Sequence, residues 1–106
     1  MTFRVRFTRA AEADLERLFD FVVERELERS GGGDLSLADQ ALAAIRPGVE
    51  TLKSSPFTCR KAGSSPFLRE LVISFGRSGY VALFEIEDAS NVVVFAVRHQ
   101  LEDDYH

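Results

Sequence analysis

The chain has little of what would tie it to an oxidising compartment or to a membrane. Its 106 residues include a single cysteine, Cys59, so no internal disulfide can form and nothing indicates an oxidising compartment. No apolar run approaches the roughly 18 residues of a transmembrane helix, and the N-terminus lacks the basic and then apolar pattern of a secretory signal. We therefore expect a soluble, cytoplasmic protein.

Positive charge is also scarce. Thirteen Lys and Arg residues stand against 17 Asp and Glu residues, which gives a net charge of −4. Proteins bind nucleic acid mainly through Lys and Arg side chains that neutralise phosphates. The composition therefore argues against general or sequence-specific nucleic-acid binding, although residues 1–11 and 54–78 are locally basic and form a small basic zone if they meet.

The size and hydrophobic content fit one domain over residues 1–106. Hydrophobic residues make up 45% of the chain, enough for a single core without metal or disulfide support.

The N-terminal part predicts a strand followed by two helices. Apolar and basic residues alternate over residues 3–7, which is typical of a strand with one buried face. Thr8 can cap a helix over residues 9–29. In that helix the core-facing stripe is Ala11, Leu15, Leu18, Phe19 and Val22, and the solvated acids are Glu12, Glu16, Asp20 and Glu24.

Glycines at 31–33 end the first helix, and Ser36 or Asp34 caps a second one that continues through residue 52. Its apolar stripe is Ala38, Ala41, Leu42, Ile45, Val49 and Leu52. Pro47 and Gly48 predict a kink or a short break. Residues 54–65 are polar and predict a loop, and Cys59 within it is interpreted as structural.

The last third predicts an antiparallel three-stranded meander over residues 67–73, 80–86 and 92–98. On the middle strand, one face is predicted to carry Tyr80, Ala82, Phe84 and Ile86 and the other face Val81, Leu83 and Glu85. On the last strand, one face is predicted to carry Val92, Val94 and Ala96 and the other face Val93, Phe95 and Val97. Two helices cover only one face of a small sheet, so the second face is expected to stay partly exposed and apolar, as a binding surface. The alternative is that sheet twist buries both faces.

This α+β order, β-α-α-β-β-β, resembles the RelE/ParE superfamily of toxins from type II toxin–antitoxin systems. The resemblance rests on the opening RVRFTRAAEADLERLFDFVVE, the segments LREL and GYVALFEI, and the close VVVFAVRHQLEDDYH, and it is nearest to the ParE branch of the plasmid-stabilisation type. It implies a toxin silenced by an antitoxin from the same operon, which adds to the sheet or fills a groove. The expected antitoxin contacts are Tyr80, Val81, Leu83, Val93 and Phe95.

The superfamily divides between ribosome-dependent mRNA endonucleases and ParE toxins that poison DNA gyrase. The nuclease branch typically has GYR where this chain has Gly79-Tyr80-Val81, and Glu85 stands where many relatives have another arginine. An acid on a phosphate-binding face would repel the substrate. The alternative remains a nuclease in which His99 and Tyr105 act as acid and base.

The ParE resemblance implies inhibition of DNA gyrase by binding, with no catalytic residues, cofactor or metal, and no membrane partner. Candidate target contacts are Arg69, Arg77, Arg98, His99 and Tyr105. Arg69 and Arg98 have a second interpretation, in which they pair with a neighbouring acid such as Glu70 or Glu85. A third functional reading is a non-toxic binding module that acts with its antitoxin.

Overall fold

The computed structural model describes residues 2–28, 36–75 and 78–99. The elements are β1 (Arg4–Phe7), α1 (Arg9–Leu27), α2 (Ser36–Thr51), β2 (Arg60–Lys61), β3 (Leu68–Phe75), β4 (Ser78–Ile86) and β5 (Asn91–His99). The α+β class and the predicted order of strand, two helices and meander are confirmed. No helix in this part of the chain is long and apolar enough to cross a membrane.

Thr8 starts α1 as the sequence predicted. Its backbone is extended, and its hydroxyl accepts a hydrogen bond from the Ala11 N–H at 3.1 Å. This bond satisfies one of the first-turn donors that have no partner inside the helix. The predicted acidic face, Glu12, Glu16, Asp20 and Glu24, is exposed, whereas Ala11 and Leu18 are fully buried.

Helix α2 does not break at Pro47, contrary to one of the two outcomes expected there. The proline lies inside a continuous helix that ends at Thr51. Gly48 lies close to the sheet: a Cβ at this position would stand 2.9 Å from Ile73 Cγ1 on β3. Packing of this helical turn against β3 therefore offsets the hydrogen bond that proline cannot donate.

The segment predicted as loop contains ordered structure, which corrects that prediction. Pro56–Thr58 forms a short 3-10 turn, and β2 pairs antiparallel with β3, with Arg60 opposite Glu70 and Lys61 opposite Arg69. A two-residue polar strand has no periodicity that a sequence pattern can detect.

All five strands form one sheet in the order β1-β5-β4-β3-β2. β1 pairs parallel with β5, and the other pairs are antiparallel. The helices pack on one side, where their buried residues join those of the central strands. This core comprises Ala11, Leu18, Ala41, Ile45, Leu52, Ile73, Tyr80, Ala82, Phe84, Ile86, Val92, Val94 and Val97.

A β-bulge between β4 and β5 corrects the predicted faces of the last strand. Leu83 pairs with Ala96 and Phe84 pairs with Val94, so Phe95 has no partner in the register. The extra residue reverses the alternation. Val97 therefore lies on the helix side in the core, and Ala96 lies on the opposite side with Leu83.

Candidate binding surfaces

The side of the sheet away from the helices is the first candidate surface. Directly paired residues project to the same side of a sheet. The register therefore places on this open face the residues Leu68, Glu70, Val72, Val81, Leu83, Glu85, Val93, Ala96 and Arg98, with Arg6 of β1 and Arg60 of β2 beside them. Val72 is 41% exposed and Leu83 is half-buried, but Val81 and Val93 are buried. The accessible apolar side chains here are Leu68, Val72 and Leu83, with Glu70 and Glu85 beside them.

The five residues predicted to contact a partner do not share one surface. Val81, Leu83 and Val93 lie on the open face, and Phe95 is the half-buried bulge residue. Tyr80 lies on the helix side, 2% exposed, with its ring 6.1 Å from Phe75 and 5.5 Å from His99. Burial raises the pKa of the Tyr80 hydroxyl. Tyr80 is thus a core residue in this structure.

Arg69 does not pair with Glu70 or Glu85, which corrects that interpretation. Its Nε donates to the Pro66 carbonyl at 2.7 Å, and its Nη1 donates to the carbonyls of Phe57 (3.1 Å) and Cys59 (2.8 Å). Its guanidinium also lies 5.4 Å from the centre of the Phe57 ring. Arg69 therefore fastens the segment before β3 to the sheet, while Glu70 pairs with Arg60.

Cys59 belongs to this fastened segment. Burial raises the pKa of its thiol, and the nearby Arg69 charge opposes part of that rise. A raised pKa disfavours the reactive thiolate, which agrees with the structural interpretation of this cysteine.

Arg98 also has an intramolecular partner, and it is again neither Glu70 nor Glu85. Its Nη1 donates to Asp14 Oδ2 on α1 at 2.7 Å, and the same oxygen accepts the Val97 N–H at 2.9 Å. β1 pairs with β5 only as far as Val94. Asp14 therefore satisfies a donor at the β5 edge beyond the end of β1.

His99 ends β5 in a buried position. It is 8% exposed, and its ring lies between those of Tyr80 and Phe21, with centroids 5.5 Å and 6.1 Å away. The two remaining predicted target contacts, Arg77 and Tyr105, lie outside the described residues.

The predicted target contacts that are described do not converge on one point. Arg69 pairs with Phe84, which places it on the helix side, and carbonyl oxygens of the segment before β3 hold its guanidinium. Arg98 pairs with Val81, two strands away from Arg69, and its guanidinium reaches Asp14 of α1 at the β5 edge. His99 shares the side of Arg69 but pairs with Tyr80, four residues from Phe84. At about 3.3 Å per strand residue, this separates them by about 13 Å along the sheet. These three side chains cannot surround one phosphate group.

A second candidate surface, absent from the sequence predictions, is an open groove between α1 and α2. Its volume is about 520 Å³, and it is lined by Phe7, Leu15, Phe19, Leu42, Ile45 and Val49, with Glu16, Asp20, Arg46 and Glu50 at its rim. The sequence held one sign of this groove: the apolar stripes of the two helices contain more residues than the core buries. Leu15, Phe19, Leu42 and Val49, all assigned to the core-facing side, are only half-buried.

In residues 2–28, 36–75 and 78–99, no three His, Cys, Asp or Glu side chains are grouped so that they could hold an ion.

Comparison with known proteins gives a family match and several structural relatives, two of which are described here. The model of the family described as ParE toxin of type II toxin-antitoxin system, parDE, matches residues 5–104. The chromosomal ParDE TA system from P. aeruginosa has a similar chain with a TM-score of 0.68 and 19% identity, covering 92% of this chain and 96% of that one. The toxin–antitoxin complex RelBE2 from Mycobacterium tuberculosis gives a TM-score of 0.55 and 20% identity, covering 93% and 99%. No curated protein matches the chain in sequence.

Proposed function

Because this chain belongs to the family of ParE toxins of type II toxin–antitoxin systems, we propose that a cognate antitoxin neutralises it and that it inhibits DNA gyrase by binding. The two structural relatives named above come from toxin–antitoxin systems, which supports an antitoxin partner. The gyrase target is the part of the proposal that goes beyond the family assignment.

The side chains of Arg69, Arg98 and His99 do not converge on one point, and this separation supports binding over catalysis. Metal-free cleavage of RNA requires a base, an acid and cations arranged around one phosphate. Carbonyl oxygens of the segment before β3 hold the Arg69 guanidinium, whereas Asp14 of α1 holds that of Arg98 at the β5 edge, two strands away. Val81 and Glu85, which replace expected arginines, add no cation to the open face.

Target binding is assigned to the end of β5 and the residues that follow. Arg98 and His99 stand there, and Tyr105 is the predicted contact further along the chain; Arg77 is a further predicted target contact. Arg69 contributes by holding the segment before β3, because its donors are already bound to carbonyl oxygens. Antitoxin contact remains proposed for Val81, Leu83, Val93 and Phe95, without Tyr80.

Induced expression in a bacterial host tests this function. We expect growth arrest with early, gyrase-dependent DNA breaks, and relief when the product of a short reading frame beside the gene is co-expressed. Codon-positioned mRNA cuts with intact DNA would instead identify a ribosome-dependent nuclease. Normal growth with binding to the neighbouring product would identify a non-toxic binding module.

The Val81→Arg variant tests the nuclease alternative separately. It places a guanidinium on the open face, at the position where the nuclease branch has arginine. We expect no RNA cleavage by purified variant on translating ribosomes, because Arg69 and His99 remain on the other side of the sheet. A gain of cleavage would show that a latent nuclease site exists.

A further inference from the structure

Two phenylalanine rings, Phe57 and Phe67, stand at the surface beside the start of β3. They are 50% and 49% exposed, and their centroids lie 6.4 Å apart in an edge-to-face arrangement. The rings adjoin an open pocket of about 350 Å³ whose other apolar lining residues are Ile86 and Ala89. Adjacent exposed rings beside an apolar concavity are typical of a protein-binding site. These four residues are called the aromatic patch below.

Arg69 holds both exposed rings in place. Its Nη1 donates to the Phe57 carbonyl at 3.1 Å, and its Nε donates to the carbonyl of Pro66, the residue before Phe67, at 2.7 Å. Its guanidinium also lies 5.4 Å from the centre of the Phe57 ring. The Phe67 carbonyl in turn accepts the Ile86 N–H at 2.8 Å. Groups that are ordered before binding lose less conformational entropy when a partner arrives, so the rings are preorganised as anchors.

The two flanks of the aromatic patch carry opposite charges. On the β2 side, Lys61 pairs in register with Arg69, and on the side of the turn after β4, Asp88 lines the pocket. Neither Lys61 nor Asp88 has an ion-pair partner within the described ranges, whereas their neighbours Arg60 and Glu87 are paired inside the chain. One cation and one carboxylate therefore remain available, one on each side of the rings.

We propose that the aromatic patch is the interface of a homodimer, in which a two-fold axis passing between the rings relates a second copy of this chain to the first. Such an axis brings each flank of one copy against the opposite flank of the other, so a surface with unlike flanks is complementary to itself. Lys61 of each copy then faces Asp88 of the other, and the four rings pack together over the two pockets. The inference is independent of the proposed function.

The size of the aromatic patch sets the strength of this dimer. A phenylalanine side chain buries about 150–250 Å², so four half-exposed rings would bury on the order of 400 Å² of apolar surface. Interfaces below about 1,200 Å² in total belong mostly to weak and transient complexes. The dimer is therefore expected to form only at high concentration.

Sedimentation of the full chain over a range of concentrations tests the inference. We expect the apparent mass to rise from that of one chain at about 10 µM towards that of two chains at about 500 µM, as for a small interface. Phe57→Ser and Phe67→Ser each remove an anchor ring and should weaken self-association at least tenfold. Leu27→Ser, at an exposed leucine outside the patch, is the matched control and should change it less than threefold.

A charge exchange tests the two-fold arrangement separately. Lys61→Glu places like charges opposite each other and should weaken self-association at least fivefold, with a larger effect at low salt. The double variant Lys61→Glu, Asp88→Lys should return to within threefold of the unmodified chain. Asp88 also accepts the Ser90 N–H, so restored association cannot come from a better turn. Arg4→Glu, at an exposed arginine on β1, is the control and should have no effect.

Each outcome decides for or against the homodimer. Self-association that falls in the ring variants and returns in the double charge variant supports it, and the charge variants keep the test valid if a ring variant does not fold. A chain that stays monomeric overturns the inference, as does self-association that no patch variant weakens or that the double variant does not restore. Loss of antitoxin or gyrase binding in the ring variants of a monomeric chain would assign the patch to that partner instead.

Discussion

The Asp14 carboxylate on α1 binds Arg98 on β5 across 84 residues of sequence, with Oδ2 2.7 Å from Nη1. The same oxygen accepts the Val97 N–H. One side chain thus fixes the first helix to the last strand at the point where β1 no longer pairs with it. The geometry also holds Arg98 at the end of β5, where target contact is proposed.

Replacing Asp14 with alanine should destabilise the fold by about 2 kcal/mol. The change leaves the Val97 N–H and the Arg98 guanidinium without this acceptor, and hydrogen bonds to charged groups contribute about 1.5–3 kcal/mol. Urea unfolding measures the loss. Asp20→Ala, at an exposed position on the same helix, is the control and should leave stability within about 0.5 kcal/mol. Equal effects of the two substitutions would contradict the role given to Asp14.

Arg69→Lys should loosen the segment between α2 and β3. A lysine ammonium cannot reproduce the fork with which Arg69 contacts three carbonyl oxygens. We expect a loss of about 1–2 kcal/mol and faster hydrogen exchange of the Ala62 amide, which donates to the Leu68 carbonyl at 2.9 Å.

The control for Arg69 is Arg60→Lys. Arg60 is a neighbouring sheet arginine whose ion pair with Glu70 is formed by a largely exposed side chain, and exposed pairs contribute about 0–1 kcal/mol. Unchanged Ala62 exchange in Arg69→Lys, or equal acceleration in both variants, would show that Arg69 is not a fastening residue.

Substituting glycine by alanine should destabilise the fold strongly at Gly79 and hardly at all at Gly63. A Cβ on Gly79 would lie 2.0 Å from the Ile73 carbonyl oxygen, a backbone atom of the paired strand that cannot move aside. Gly79→Ala should therefore cost about 3 kcal/mol. At Gly63 the nearest atom would be Leu68 Cδ2 at an ordinary 3.6 Å, so Gly63→Ala should change stability by less than about 0.5 kcal/mol. Thermal unfolding of both variants checks the contrast.

Alkaline titration should show a Tyr80 hydroxyl with a raised pKa, because burial disfavours the phenolate. The folded chain holds this proton more tightly than the unfolded chain. The stability contribution of neutral Tyr80 is therefore complete below about pH 10, the ordinary tyrosine value, and is lost as the pH rises through the higher folded pKa.

Absorbance at 295 nm in a Tyr105→Phe variant isolates this transition, because the chain contains two tyrosines. We expect a midpoint above that of the same variant unfolded in urea. Coincident midpoints would show that Tyr80 is exposed. The Tyr80→Phe variant is the control, and its stability should fall less steeply as the pH rises above 10.

Local patterns predicted most of the fold. Alternation over residues 3–7 and in the meander identified β1, β3, β4 and β5, and Thr8 identified the start of α1. These features depend on residues close in sequence. β2 was missed because its two polar residues are ordered by pairing with β3 and by Arg69, and the bulge at Phe95 was missed because it depends on the register with β4.

The candidate surfaces were less predictable, because long-range contacts determine which side chains remain available. Sequence left two interpretations of Arg98, target contact or pairing with a sheet acid, whereas its partner in the structure is Asp14 on α1. For Arg69 the same two interpretations were open, and in the structure it binds carbonyl oxygens. Tyr80 is a predicted antitoxin contact, but the strand alternation and its 2% exposure place it in the core. Predicting the groove would have required the distance between α1 and α2, which sequence patterns do not give.

A reconstituted cleavage assay tests the proposed inhibition of DNA gyrase most directly. Purified chain is incubated with gyrase, ATP and supercoiled plasmid, and trapped cleavage complexes are counted as linear DNA after denaturation, with and without the antitoxin. We predict that linear DNA accumulates with increasing chain and that the antitoxin abolishes the effect. Unchanged gyrase products, together with mRNA cuts when the same preparation is added to translating ribosomes, would contradict the account.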